Sequence, residues 1–403
     1  MLDDDDHRAL CQRLDFLHFQ EEAPGMAFWH PRGLALYRLL EGAARDEFLA
    51  QGYDEVRTPQ VLRRPVWEAS GHWEHFAESM FRIDDQAVEA ALKPVSCPGH
   101  LEILKRGVLS YRDLPRRLAE FGAVHRDELG GALHGLLRLR QFTQDDGHVV
   151  CAEAQVGPEI ERFCRGVRPF YAAFGFDEVS VALSTRPAHR VGDDAAWDVA
   201  EGALAGALDR LGERYDVQAG GGAFYGPKIE FVLRDRKGQR WQCGTIQYDL
   251  AMPRRFDLRY VDPAGERRHP VLLHRALYGS LERFLGIVLE HHGARLPGWL
   301  APTQLVVLPV AAEHAPWARE VEAAARGAGL RAARDERGES LARRVAEAHE
   351  GATPFLAVVG AREAAVRSVT LRVPGGAQQT LPLDGALEHL ARACARPPFG
   401  ALG

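Results

Sequence analysis

Lysine is almost missing from this chain. Only Lys93, Lys105, Lys228 and Lys237 occur among 403 residues whose Lys and Arg total 50, and none falls in a GxxxxGK[ST] run. A Walker-type phosphate loop is therefore excluded, and any use of ATP needs another scaffold. Cysteine is also sparse. Cys11, Cys97, Cys151, Cys164, Cys243 and Cys394 are scattered without a CxxC pair, which argues for reduced thiols rather than a disulfide framework. No apolar run approaches the ~18 residues of a membrane span. The acidic start, Asp3 to Asp6, is the opposite of an Arg-rich transit peptide. Repeats and low-complexity tracts are lacking. A net charge of -6 excludes a generally polycationic nucleic-acid coat protein, so any nucleic-acid contact must be local. With 46% hydrophobic and 26% charged residues, the expectation is a soluble, cytoplasmic chain of two or three domains with no membrane partner.

The periodicities mix helices with long antiparallel strands. Helical spacing runs over 34–49 and stops at Gly52, a short strand follows at 55–58, and 116–149 alternates like two long strands around Gly130, Gly131 and Gly135. Helices are expected at 158–175, 192–213 and 276–291, with strands at 178–183, 228–234 and 239–248. That is an α+β pattern, not a repeating βαβ one. Gly293 to Gly298, with two glycines and a proline, is the best linker candidate. Beyond it, strands at 304–310, 354–359 and 368–373 alternate with helices at 314–328, 339–350 and 384–395, a compact α/β domain. The domains are expected to span 1–296 and 297–403.

The richest stretch runs from Arg138 to His148. On a regular strand Arg138, Arg140, Phe142, Gln144, Asp146 and His148 would share one face. A solvated outer face is one reading; the mixture of two arginines, a lone Phe and a Gln/Asp/His cluster suggests a site. On the preceding strand Arg126 and Glu128 share a parity. Arginines facing a glutamate form either a structural ion pair or a surface that clamps phosphates with guanidinium forks and reads an amine with a carboxylate. Cys97, His148 and His274 are too far apart in sequence for spacing to signal a metal. Lys228 stands out because this chain almost always chooses arginine.

Several longer segments carry a resemblance. Phe121-Gly122-Ala123-Val124-His125-Arg126-Asp127-Glu128 with Arg138-x-x-x-Phe142 resembles motif 2 of class II aminoacyl-tRNA synthetases. Gln20-Glu21-Glu22-Ala23-Pro24-Gly25-Met26, Ser96-Cys97-Pro98-Gly99-His100, Phe224-Tyr225-Gly226-Pro227-Lys228-Ile229-Glu230, Trp241-Gln242-Cys243-Gly244-Thr245 and His274-Arg275-Ala276 narrow it to the threonyl-tRNA synthetases. The similarity runs from about residue 5 to 395. It implies an antiparallel-sheet catalytic core with flanking helices, followed by a small α/β anticodon-binding domain, and a homodimer built on motif 1, which closes at Pro59.

The same resemblance implies roles. The activity would be ATP-dependent ligation: threonine to threonyl-adenylate, then transfer to tRNA(Thr), with Mg²⁺ accompanying ATP. Arg126 would hold the α-phosphate and the amino acid's carboxylate, Glu128 would accept from the adenine amine, and Phe142 would stack on the base. Arg138 and Arg283 would grip the γ-phosphate, with Gln242 and Thr245 lining the ATP site. Cys97, His148 and His274 match the family's zinc ligands, and Gln144, Asp146, Tyr225 and Gln247 would complete the threonine pocket. His72 matches the residue that assists transfer to the terminal ribose, and Glu363 and Arg372 match the anticodon-reading pair; Lys228 is expected to be catalytic on composition alone, as a rare lysine inside Gly-Pro-Lys. The family's N-terminal editing region is expected to be missing, and no HxxxH pair occurs; serine is then discriminated only by its missing methyl. Departures are Gln141 for glycine, Ser96 for asparagine, and Asp335-Glu336-Arg337 for Asn-Glu-Lys. The competing readings are a non-catalytic paralogue that binds tRNA or an amino acid, a synthetase for another small amino acid, and a plain zinc hydrolase.

Overall fold

The computed structural model describes residues 3–85, 88–373 and 376–400. The described residues divide into two compact units, one made of 3–18, 28–39, 288–373 and 376–398, the other of 19–27, 40–85, 88–287 and 399–400. Among the described residues no helix is long and apolar enough to cross a membrane.

The larger unit is built on an eight-stranded sheet. Its order across the sheet is Tyr215–Gln218, Val179–Ser184, Lys228–Arg234, Arg240–Asp249, Val271–Ala276, Gln141–Cys151, Arg116–His125 and Asp54–Glu55. The two outermost pairings are parallel and the five inner ones antiparallel. Helices Val156–Ala172 and Asp194–Leu211 pack against the sheet and each other. Phe163 of the first helix meets Phe231 of the sheet, while Phe174 and Phe176 meet Phe284 of helix Leu281–His292. Because side chains alternate along a strand, this apolar layer fixes the other face for the polar residues. There Lys228, Gln247, His274, His148 and Leu118 stand in one row, each opposite the next. A small antiparallel sheet, Val61–Arg63, Val88–Leu92 and Arg82–Asp85, was not anticipated from the sequence.

Three expectations need correction. The helix expected at 276–291 begins at Leu281, because Val271–Ala276 is a strand. That strand, Val-Leu-Leu-His-Arg-Ala, is mostly buried without a strict alternation to separate it from a helix, whereas the Ser280 hydroxyl accepts from the Arg283 N–H at 3.2 Å and sets the helix start. The strand expected at 55–58 is reduced to Asp54–Glu55. Arg138 and Arg140 precede the strand, which starts at Gln141. The Arg140 N–H donates to the Gly25 carbonyl at 2.8 Å, and its side chain to the Glu128 carbonyl at 2.8 Å. Arg140 therefore leaves the face that the alternation assigned to it.

The smaller unit contains a sheet in the order Ala332–Arg334, Leu305–Pro309, Phe355–Val359, Ser368–Arg372 and Gln378–Pro382. Its first three strands are parallel and its last two pairings antiparallel. Leu305, Val307, Trp317, Val321, Ala357, Val369, Leu371 and Leu390 form its core, drawn from strands and helices Ala315–Gly327 and Leu383–Ala393.

Candidate active site

The polar face of the large sheet opens into a cavity of about 550 Å³. One end is cationic and aromatic. Arg126 lies over the rings of Phe142 and Phe76 at 5.0 and 5.6 Å, and its Nε donates to the Pro94 carbonyl at 3.2 Å. Arg138 donates from Nε and Nη2 to Oε2 of Glu128, at 3.0 and 2.7 Å, which leaves Oε1 of that carboxylate to accept from something else. Arg283 lines the same end 5.9 Å from the Trp241 ring, and its buried Nε has no hydrogen-bond partner among the described residues. Gln242 and Thr245 complete this end.

The other end gathers nitrogen, sulfur and oxygen donors. Gly226 makes this possible locally: a Cβ there would lie 1.6 Å from the Tyr248 carbonyl oxygen, so only glycine lets the loop press against the strand and present Tyr225. The Tyr225 hydroxyl donates to Oε1 of Gln247 at 2.7 Å. Gln144 projects a buried Oε1 with no hydrogen-bond partner among the described residues, and Asp146 lies two residues on along the strand, its carboxyl pushed up by burial. Cys97, His148 and His274 each offer one atom, and all three atoms lie within 4.8 Å of one another.

The hydrogen bonds around the two histidines fix which nitrogens carry lone pairs. Asp249 Oδ2 is 2.8 Å from His274 Nε2 and can only accept, so in the neutral ring Nε2 carries the single proton and Nδ1 is bare. On the other side Glu120 Oε2 accepts from His100 Nε2 at 3.2 Å, so His100 Nδ1 accepts from His148 Nδ1 at 2.9 Å. His148 Nε2 is then also bare, and it faces His274 Nδ1 at 2.9 Å. Two lone pairs meet with no proton between them, next to a thiol. Burial holds His148 well below the usual imidazole range and so disfavours adding that proton. A cation between the donors satisfies all three, and an S, N, N set with an open fourth position suits zinc.

Residues that the sequence reading missed hold this arrangement. Glu120 accepts from Lys93 Nζ at 2.8 Å and from the Thr58 N–H and hydroxyl at 2.9 and 2.8 Å, all of them buried. Burial pushes its carboxyl up, but the bonds from His100, Lys93 and Thr58 outweigh that and bring it down to about 2. Asp145 accepts from the N–H groups of Leu277, Tyr278 and Gly279 at 2.6, 3.0 and 3.1 Å, and Glu282 from the Thr143 N–H at 2.9 Å. These bonds tie the helix bearing Arg283 to the strand bearing Phe142. Lys93→Met should leave Glu120 buried without its cation and cost about 3 kcal/mol. Chemical denaturation checks this; a loss below about 1 kcal/mol would show that the pair is not needed for the fold.

His72 also lines the cavity, and burial, with Arg126 nearby, brings its imidazole down to about 4. Lys228 does not line it; its Nζ lies 2.7 Å from Glu230 Oε1. Glu363 and Arg372 belong to the smaller unit. Glu363 accepts from the Gly360 N–H and the Thr370 hydroxyl, both at 2.9 Å, and Arg372 has a buried Nε with no hydrogen-bond partner among the described residues.

Sheet and cavity together define a class II aminoacyl-tRNA synthetase core. Residues 80–292 match the tRNA synthetase class II core domain family (G, H, P, S and T), and residues 304–392 match the anticodon binding domain family. A solved structure titled the RNA binding domain of threonyl-tRNA synthetase from Cryptosporidium parvum Iowa II shares 37% identity with a TM-score of 0.91, over 97% of this chain and 98% of that one. The chain belongs to the threonyl-tRNA synthetase family. Curated threonine–tRNA ligases from Polynucleobacter necessarius subsp. necessarius (strain STIR1) and Thiobacillus denitrificans (strain ATCC 25259 / T1) are each 48% identical over 386 residues, 96% of this chain. The chain spans 60% and 61% of the length of those two relatives.

Proposed function

We propose that this chain is an ATP-dependent threonine:tRNA ligase that forms threonyl-adenylate and transfers the threonyl group to tRNA(Thr). The carrying observation is one cavity lined by Cys97, His274, Arg126, Phe142 and Arg283, with His148 buried beside it and its donor atom within 4.8 Å of those of Cys97 and His274. Its family membership and the anticodon-binding domain support tRNA as the acceptor. The reading includes a cytoplasmic homodimer, supported by the resemblance of the segment ending at Pro59 to motif 1, and anticodon contacts through Glu363 and Arg372.

In activation, a carboxylate oxygen of threonine attacks the α-phosphorus of ATP and the bond to pyrophosphate breaks. The site needs no protein nucleophile, because positioning and charge stabilisation suffice. Arg126 meets both the carboxylate and the α-phosphate, offsetting charge as the new bond forms. Phe142 offers a ring face to adenine, and the spare Oε1 of Glu128 accepts from its amine. Arg138 and Arg283 hold the γ-phosphate, while Gln242 and Thr245 border the nucleotide. Mg²⁺ brought in with ATP supplies further neutralisation of the phosphates. Cys97, His148 and His274 would hold a zinc ion, which would supply a Lewis-acid position for an amino group and a neighbouring hydroxyl. Asp146, Gln144, Tyr225 and Gln247 surround the rest of the amino acid. Lys228 lies outside the cavity lining, paired with Glu230 in the sheet row, and no step of this reading uses it.

The test is amino-acid-dependent pyrophosphate exchange followed by charging of tRNA(Thr). Threonine should support exchange and charging. Valine should be at least about 10⁴-fold poorer, because it leaves the hydroxyl position unpaired, and serine only about 10- to 200-fold poorer. An absence of threonine-dependent exchange would return the non-catalytic reading.

A further inference from the structure

We propose that Ser70 is a positioning residue for the transfer step: it fixes His72 with its proton on Nδ1 and so presents Nε2 as the proton acceptor. The proposal rests on the reading of His72 as the base in transfer to the tRNA terminal ribose. It follows from counting hydrogens at one buried hydroxyl.

Ser70 ends helix Arg64–Ser70, and His72 begins the short helix His72–His75. Both are buried, and both line the cavity. The Ser70 hydroxyl lies 3.0 Å from the Trp67 carbonyl oxygen, which can only accept, so the single hydroxyl hydrogen is committed there. His72 Nδ1 lies 2.8 Å from the same Oγ. Oγ has only lone pairs left to offer, so Nδ1 must be the donor. A neutral imidazole has one N–H, and Nε2 is therefore bare.

The surroundings hold this state. The ring sits edge-on between Trp67 and Phe76, with centroids 6.2 and 6.1 Å away and interplanar angles of 79° and 76°. Trp67 is itself fixed by donation from Nε1 to the Leu62 carbonyl at 3.0 Å. Gly71, at φ +81°, joins the two helices, and a Cβ there would strike Arg255 Nη1 at 2.3 Å. The Ser-Gly-His turn is thus closed on one side by a guanidinium. Burial and the charges of Arg126 and Arg255 favour the neutral ring, against the opposing charge of Asp249.

In the transfer step, the ribose oxygen forms a bond to the threonyl carbonyl carbon as its own O–H bond breaks. The C–O bond to AMP then breaks and AMP departs with that electron pair, while the proton goes to His72 Nε2. With the proton on the wrong nitrogen, the ring would present N–H to the hydroxyl and could not accept. Ser70 touches neither substrate nor reacting atom; it acts through the tautomer.

The experiment measures single-turnover transfer from preformed threonyl-adenylate to tRNA(Thr) alongside pyrophosphate exchange. The full-length proteins compared are the wild type, His72→Ala, Ser70→Ala and Ser70→Thr. In His72→Ala the transfer rate should fall at least about 100-fold further than the activation rate, the scale of one general base. In Ser70→Ala it should fall about tenfold further than activation, and Ser70→Thr, which restores a hydroxyl, should recover most of the loss. Nitrogen-15 chemical shifts of His72 in the wild-type protein should show a protonated Nδ1 and a bare Nε2, a readout that needs no variant to fold. Normal transfer in Ser70→Ala with slow transfer in His72→Ala, or a protonated Nε2 in the wild type, would overturn the proposal. Normal transfer in His72→Ala would instead overturn the reading of His72 on which it rests.

Discussion

Arg126→Ala should lower threonine-dependent pyrophosphate exchange by about 1,000-fold, the upper scale for one preorganised charge contact with a transition state. The side chain lines the cavity, held against the rings of Phe76 and Phe142 and anchored by one bond to the Pro94 carbonyl. That anchor uses Nε and leaves both terminal nitrogens to face the ligand. Arg138 cannot take its place, because its guanidinium is engaged with Glu128. The loss should appear mainly in kcat rather than in KM for ATP, since charge builds at the α-phosphorus only as the new bond forms. Steady-state exchange at saturating ATP, with a thermal melt to show an intact fold, is the check. A fall of less than tenfold would place the activated phosphate elsewhere.

The parts of this site legible in the sequence are those that alternation or a local turn controls. Phe142, Gln144 and Asp146 share a face because the strand is regular from Gln141 onward. Arg140 does not, because a backbone bond from the distant Gly25 bends the chain just before that strand, and no local pattern announces it. Asp145 was equally hidden. It falls on the parity that reads as unsuited to a site, yet it accepts three backbone N–H groups and fixes the turn that leads to Arg283. Its partners lie more than 130 residues away.

The donor set shows the same limit more sharply. His148 and His274 are separated by 126 residues but stand directly opposite each other on neighbouring antiparallel strands. Only the sheet order brings them together, and only the resemblance named them beforehand. The shell behind them left a faint compositional trace. Lys93, one of four lysines, stands between apolar Leu92 and Pro94-Val95, an odd place for a flexible cation unless a buried carboxylate waits for it. That carboxylate is Glu120, on another strand. Burial, which makes the pair consequential, is a property of packing and not of spacing.

The second large effect concerns the metal. The protein as purified should hold one zinc per chain, and Cys97→Ala or His148→Ala should lose it together with threonine activation, by at least about 1,000-fold. The argument begins with the wild-type hydrogen bonds. Asp249 and the chain from Glu120 through His100 each turn a ring so that its bare nitrogen points inward, and the inward nitrogens meet at 2.9 Å. Without a cation this is two lone pairs in repulsion beside a thiol that burial keeps protonated. With zinc, the thiol ionises and the repulsion becomes coordination, so the fold that orients the rings favours the bound ion. Extraction by a strong chelator should therefore abolish threonine-dependent exchange, and added zinc should restore it. Bound metal should also raise the melting temperature, by an amount that grows with the logarithm of free zinc over its Kd. Elemental analysis, exchange assays and melts on the same preparations provide three independent readouts. Fully active protein without zinc, or a His148→Ala variant that retains both metal and activity, would remove the assignment and leave the facing lone pairs to be explained by a shared proton instead.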